Sequence, residues 1–75
     1  MTDKELLIII GNNIRKIRLR KNITQVELAE KCDFEKSNMR RIEAGNTNPT
    51  IKTLFKIANG LDVAISDLLK ETKIK

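Results

Sequence analysis

The chain has 75 residues, and 15 lysines and arginines against 10 aspartates and glutamates give it a net charge of +5, with no histidine, tyrosine or tryptophan. A chain this short buries only about 60% of its unfolded surface, and it shows no paired nucleophile and base and no glycine-rich phosphate loop, so neither catalysis nor a cofactor is expected. The single cysteine, Cys32, excludes an intramolecular disulfide and a multi-cysteine metal site and reads as a small core residue.

The first helix is predicted over Asp3 to Lys21, with Leu6, Ile10, Ile14 and Ile17 on one apolar stripe. Leu7 and Ile9 fall off that stripe, either sheltered under the C-terminal helix or available to a partner. Gly11 costs about 1 kcal/mol against alanine in a helix interior, so the first turns are expected to fray or bend there. The apolar run Leu6 to Ile10 is five residues, far short of the roughly 20 that span a bilayer. With no signal peptide or lipidation motif in view, a cytoplasmic protein without a membrane partner is expected. Arg15, Lys16, Arg18, Arg20 and Lys21 form a cationic run without an acid. Such a run suits a polyanionic partner, and it equally suits the negative end of a helix dipole.

From Thr24 to Gly45 two short helical patterns flank a tight break, and this stretch reads as a helix-turn-helix. Thr24 and Glu27 form a capping box that starts the second helix, with Ile23 and Leu28 placed for a hydrophobic staple. Leu28, Ala29 and Cys32 make a narrow inward stripe whose small central residue admits a neighbouring helix. Asp33 tolerates a left-handed backbone, and Phe34 is placed to plug the corner. The third helix, about Glu35 to Ala44, ends at Gly45, a left-handed cap. At about 100° per residue, Met39 and Ile42 point to the core while Lys36, Ser37, Arg40 and Arg41 point outward. That outer face is either ordinary solvated charge or a set of donors for phosphates and guanine edges.

Asn46 to Pro49 reads as a polar loop, and Thr50 as the N-cap of a fourth helix that turns Leu54, Ile57, Ala58 and Leu61 inward. Asp62 and Val63 turn the chain into a fifth helix, roughly Ile65 to Lys70, anchored by Leu68 and Leu69, with Asp67 suited to its first turn. Glu71 to Lys75 reads as a charged mobile tail. The expected class is all-α: one domain over 1–75 with five short helices and a core over about 10–69.

The ordered words Thr24-Gln25-Val26-Glu27-Leu28-Ala29, Met39-Arg40-Arg41-Ile42-Glu43-Ala44-Gly45, Asn48-Pro49-Thr50 and Leu54-Phe55-Lys56-Ile57-Ala58 together resemble the Cro/repressor family of helix-turn-helix proteins, the lambda-repressor-like (XRE) fold. The likeness covers about Ile10 to Leu69. It implies a sequence-specific regulator of transcription bound to double-stranded DNA, most simply a homodimeric repressor at paired half-sites about one helical turn apart. Residue by residue, it implies that Lys36, Ser37 and Arg41 reach base edges and that Asn38 and Arg40 reach bases or flanking phosphates. It also implies that Gln25 and the loop residues Asn46, Thr47 and Asn48 meet the DNA backbone. Arg18 and Glu43 occupy positions that pair between the first and third helices, and each flanks an inward residue, so a partly buried salt bridge is predicted.

The chain departs from the family pattern at Asp33 and Asp62, where glycine is frequent, and at Glu35 and Ala64, where capping residues are frequent. Small stability costs are expected there. Glu35 also brings an acid to the start of the recognition helix, where it favours the dipole and opposes phosphate. A homodimer through the fourth and fifth helices is expected, using Leu69, Ile65 and Phe55, although Ile65 can equally complete the monomer core. The competing class is an interaction module for another protein, with the basic face incidental.

Overall fold

The computed structural model describes residues 1–71, in which the chain forms α1 (Asp3–Arg20), α2 (Gln25–Lys31), α3 (Lys36–Glu43), α4 (Ile51–Leu61) and α5 (Ile65–Leu69). No strand occurs among the described residues. The tail expected over 71–75 lies, beyond Glu71, outside them.

Threonine starts three of these helices. Thr24 Oγ1 accepts from Glu27 N at 3.0 Å while the Glu27 carboxylate accepts from Thr24 N at 2.8 Å. The same reciprocal box joins Thr2 and Glu5 at 3.1 Å in each direction, and Thr50 Oγ1 accepts from Thr53 N at 3.1 Å. Each arrangement satisfies helix N–H groups that have no partner inside the helix. The cap bonds, backbone first and side chain second, hold the Glu5 and Glu27 carboxyls below the ordinary glutamate range. At Glu35 and Ala64 the N-cap side chain makes no capping hydrogen bond, and alanine has no acceptor to offer. Asp67 compensates at Ala64 by accepting from its N–H at 3.2 Å.

The C-terminal ends of α1 to α4 share one device. Asn22, Asp33, Gly45 and Asp62 adopt left-handed backbone with φ of 57°, 58°, 74° and 58°. In each case the following residue donates back across a full turn: Ile23 to Arg18 O, Phe34 to Ala29 O, Asn46 to Arg41 O and Val63 to Ala58 O, at 2.8–3.1 Å. This pattern satisfies carbonyls left over at a helix C-terminus. Three of the four returning residues, Ile23, Phe34 and Val63, are apolar and pack half-buried against the core, so each reversal also closes a gap. Asp33 and Asp62 therefore take a backbone conformation that glycine adopts freely, at the modest penalty an aspartate carries in this region.

The core joins all five helices: Ile10 and Ile14 from α1, Leu28, Ala29 and Cys32 around α2, Met39 and Ile42 from α3, Leu54, Ile57, Ala58 and Leu61 from α4, and Leu68 from α5. Burial pushes the Cys32 thiol pKa up, and its Sγ lies 3.5 Å from Lys56 O. Asn13 ties α1 to α5 by donating Nδ2 to Leu68 O and Lys70 O at 2.9 and 2.8 Å.

Two expectations for α1 require correction. Leu6 is not on the inward face but 42% exposed, because the first two turns of α1 extend past the hydrophobic core and Ile10 is its first buried apolar residue. Nor do the first turns fray at Gly11, which sits buried inside an unbroken α1. A Cβ added there would lie 2.4 Å from Glu43 O and 2.7 Å from Ile42 O. Glycine is needed because the C-terminal end of α3 rests directly on the backbone of α1. Gly11→Ala, which in an isolated helix would gain about 1 kcal/mol, should instead destabilise the protein by about 1–3 kcal/mol through overpacking, read from the midpoint of urea unfolding.

Candidate nucleic-acid interface

The chemistry-bearing residues converge on α3 and its two flanks. An eight-residue helix is too short to hold its shape alone, so its orientation depends on what grips its inner side. Met39 is fully buried, and Ile42 and Glu43 lie beside it in the interior. At about 100° per residue the opposite arc carries Lys36, Arg40, Ser37 and Arg41, all exposed, while Asn38 sits half-buried at the edge. The outer face of α3 thus presents three cations and a hydroxyl with no acid among them, Glu35 standing just before the helix.

Glu43 is the inner anchor. Its carboxylate accepts from Arg18 Nε at 2.7 Å and Arg18 Nη2 at 3.1 Å, a bidentate pair with side chains only 10% and 4% exposed. A guanidinium fork matches a carboxylate in this way and resists exchange with water. Arg18 Nη1 further donates to Ile23 O at 3.0 Å, joining the pair to the turn before α2. Gln25 completes the cluster, its Nε2 donating to Glu43 Oε1 at 3.1 Å. Gln25, placed by the family resemblance at the DNA backbone, is therefore half-buried and oriented by α3, and its amide retains a second N–H for an outside acceptor.

The cationic run of α1 divides between two sides of the molecule. Arg15 borders a shallow depression with Arg18, Gln25, Arg40 and Glu43, next to the outer face of α3. Lys16, Arg20 and Lys21 instead line a groove against α5, together with Lys70 and Asp67. Lys70 lies 3.0 Å from Asp67, and its hydrogen bond and charge lower the Asp67 carboxyl below the ordinary range. Only Arg15 of the free α1 cations shares a surface with α3.

The segment after α3 carries Asn46, Thr47 and Asn48, with both asparagines exposed and Thr47 half-buried. Sequence reasoning missed one residue here. Lys4, in the first turn of α1, donates Nζ to Gly45 O and to Asn46 Oδ1 at 2.9 Å each. A lysine near a helix N-terminus carries no local mark of such a contact, because its partners lie more than forty positions away in the chain.

The helix-turn-helix family model matches residues 14–68, from the middle of α1 to the end of α5. The chain belongs to this family of transcriptional regulators. It is 37% identical over 68 residues to the control protein C.BamHI of Bacillus amyloliquefaciens, covering 89% of this chain and 84% of that one. It is likewise 37% identical over 67 residues to the immunity repressor protein of Bacillus phage phi105, covering 88% of this chain and 46% of the repressor. The chain thus spans about half the length of that phage relative and most of the control protein. Among solved structures it resembles the restriction-modification controller protein C.Esp1396I, crystallised as a tetramer with its natural 35 base-pair operator. That match has a TM-score of 0.75 and 37% identity, covering 87% of this chain and 96% of the controller.

Because Arg18 and Glu43 are both buried, removing either partner strands a charge. Arg18→Ala and Glu43→Ala should each cost about 3–5 kcal/mol. An Arg18→Met, Glu43→Leu double variant should recover most of that loss, since well-packed apolar replacements of a buried pair are often neutral. Chemical denaturation of the three variants against the parent measures the difference.

Proposed function

We propose that this protein is a sequence-specific regulator of transcription that binds double-stranded DNA as a homodimer, most simply a repressor, with α3 in the major groove. The observation that carries the reading is the outer face of α3: Lys36, Ser37, Arg40 and Arg41 exposed together on a helix whose inner side is fixed by Glu43 and Arg18. Arginine and lysine can pair with guanine O6 and N7, and serine suits either base. Asn38 and Arg40 serve bases or the flanking phosphates. Gln25, hydrogen-bonded to Glu43, and Asn46, Thr47 and Asn48 lie near the C-terminal end of α3 and serve the DNA backbone, where neutral N–H and O–H donors fix register without reading sequence. That the related controller C.Esp1396I was solved on its operator supports this assignment. Neither a cofactor nor a catalytic step enters it, and the site of action is the cytoplasm, where the DNA lies.

The dimer uses α4 and α5. Phe55 is 55% exposed and Leu69 41% exposed, and Ile51, one turn before Phe55 on the same helix face, is 69% exposed. Ile65 packs against the monomer core and contributes at most an edge. Phe55→Glu should shift the protein towards monomer in sedimentation equilibrium and lower its affinity for a two-half-site duplex far more than for a single half-site. Equal sedimentation of variant and parent would remove Phe55 from the interface.

Selection of bound duplexes from a random pool tests binding, specificity and two-fold symmetry together. Arg41→Ala should then relax preference at particular base pairs, losing about 1–3 kcal/mol on the selected site. Arg15→Ala should weaken all sequences alike and reduce the salt slope by about one, whereas Lys16→Ala, on the α5 side, should weaken them far less and leave the slope nearly unchanged. An Arg41→Ala variant that lost selected and random duplexes equally would make Arg41 a phosphate anchor and displace α3 from the groove.

A further inference from the structure

Lys4 meets the far end of the recognition helix through two 2.9 Å hydrogen bonds, one to a backbone carbonyl and one to a side-chain amide. The approach is set by backbone packing. A Cβ at Gly45 would fall 2.9 Å from Ile8 Cγ1 and 3.0 Å from Ile8 Cα, just as one at Gly11 would strike Glu43 O. The first turns of α1 therefore lie against the chain as it leaves α3, and Lys4 reaches over that contact.

Its chemistry then decides how Asn46 is turned. An ammonium group only donates, so the carboxamide must give it Oδ1 and direct Nδ2, with its two N–H groups, to the opposite side. The Asn46 backbone is held as well, its N–H donating to Arg41 O at 3.0 Å. Lys4 also places a positive charge on the terminal carbonyl region of α3, where the helix dipole is negative.

We propose that Lys4 is a positioning residue for DNA binding, holding the Asn46 carboxamide so that its N–H groups face the phosphate backbone. The proposal rests on the reading of Asn46 as a backbone contact. Lys4 acts through Asn46 and does not itself neutralise a phosphate.

A double-mutant cycle on binding tests this, using a fluorescent random-sequence 30 base-pair duplex as probe and the full chain as Lys4→Met, Asn46→Ala, both together, and Lys4→Arg, with thermal melts to show that each folds. Lys4→Met and Asn46→Ala should each weaken binding about five- to tenfold, the scale of one ordinary net hydrogen bond. The double variant should be no weaker than about tenfold, because the second change removes nothing that remains. Lys4→Arg, which keeps donors for both acceptors, should return to within about twofold of the parent. The slope of log affinity against log salt should be the same for Lys4→Met and the parent. Losses that multiply, or a slope shallower by about one in Lys4→Met, would make Lys4 an independent phosphate contact and overturn the proposal. So would an unchanged Asn46→Ala or Lys4→Met variant in a parent that binds, while leaving the DNA-binding reading standing. A parent that binds no duplex even at low salt would overturn that reading and the role of Lys4 with it.

Discussion

The seating of α3 on α1 is the constraint on which the remaining geometry depends. Three contacts of different chemistry define it. The backbone of α1 at Gly11 meets the last carbonyls of α3, Arg18 grips Glu43 bidentately about two turns further along the same face of α1, and Lys4 holds the chain immediately after α3. A close backbone approach fixes distance, and a bidentate pair fixes rotation. Together they orient an eight-residue helix that has few hydrogen bonds of its own. The proposed mode of recognition needs that orientation, since an α3 free to roll would present Arg41 and Lys36 to different bases from one encounter to the next.

The buried ion pair is better understood as a source of orientation than of net stability. Taking Arg18 and Glu43 out of water carries a desolvation penalty that their attraction and hydrogen bonds offset only when every lone pair is used. Here the carboxylate receives Arg18 twice and Gln25 once, and the guanidinium also reaches Ile23 O. No buried side-chain polar atom among the described residues lacks a partner. The satisfied network links α1, α2 and α3 at one point, so the two helices of the helix-turn-helix are locked to each other through a third. This accounts for the half-buried state of Gln25, whose free amide hydrogen is thereby aimed by the same group that sets the angle of α3.

Local chemistry made most of the fold legible in the sequence. The Thr24 box, the apolar spacing of α2 to α5 and the left-handed stop at Gly45 all act over three to five residues, and the helices begin and end close to where those signals place them. Asp33 and Asp62 read as departures, yet both take the left-handed turn, because the apolar residue that follows each one packs down and holds it. What stayed hidden was long-range. Gly11 reads as a weak point of α1 until Ile42 and Glu43 are seen above it. Leu6 obeys the helical period but lies beyond the core, and periodicity identifies a face without saying where the core stops. Lys4 and Gln25 gain their settings only from residues in α3 and its exit.

Charge placement separates what the α1 cations can do, and neither net charge nor sequence order could have made that separation. Arg15 and Lys16 are neighbours in the chain, yet about 100° of helix rotation puts one beside Arg40 and the other against α5. Arg18, between them and Arg20 in the same run, is neutralised by Glu43 and contributes little to the long-range field. Of the run's five cations, one thus adds to the local potential of the α3 face, one builds the scaffold, and three remain on the α5 side to raise the general attraction for a polyanion. Salt should screen that general attraction first, because exposed charges farther than a Debye length from the phosphates lose most of their effect near physiological ionic strength. On the proposed mode of binding the α3 face, at contact distance, retains its effect, so discrimination between sequences should survive ionic conditions that strip away indiscriminate binding.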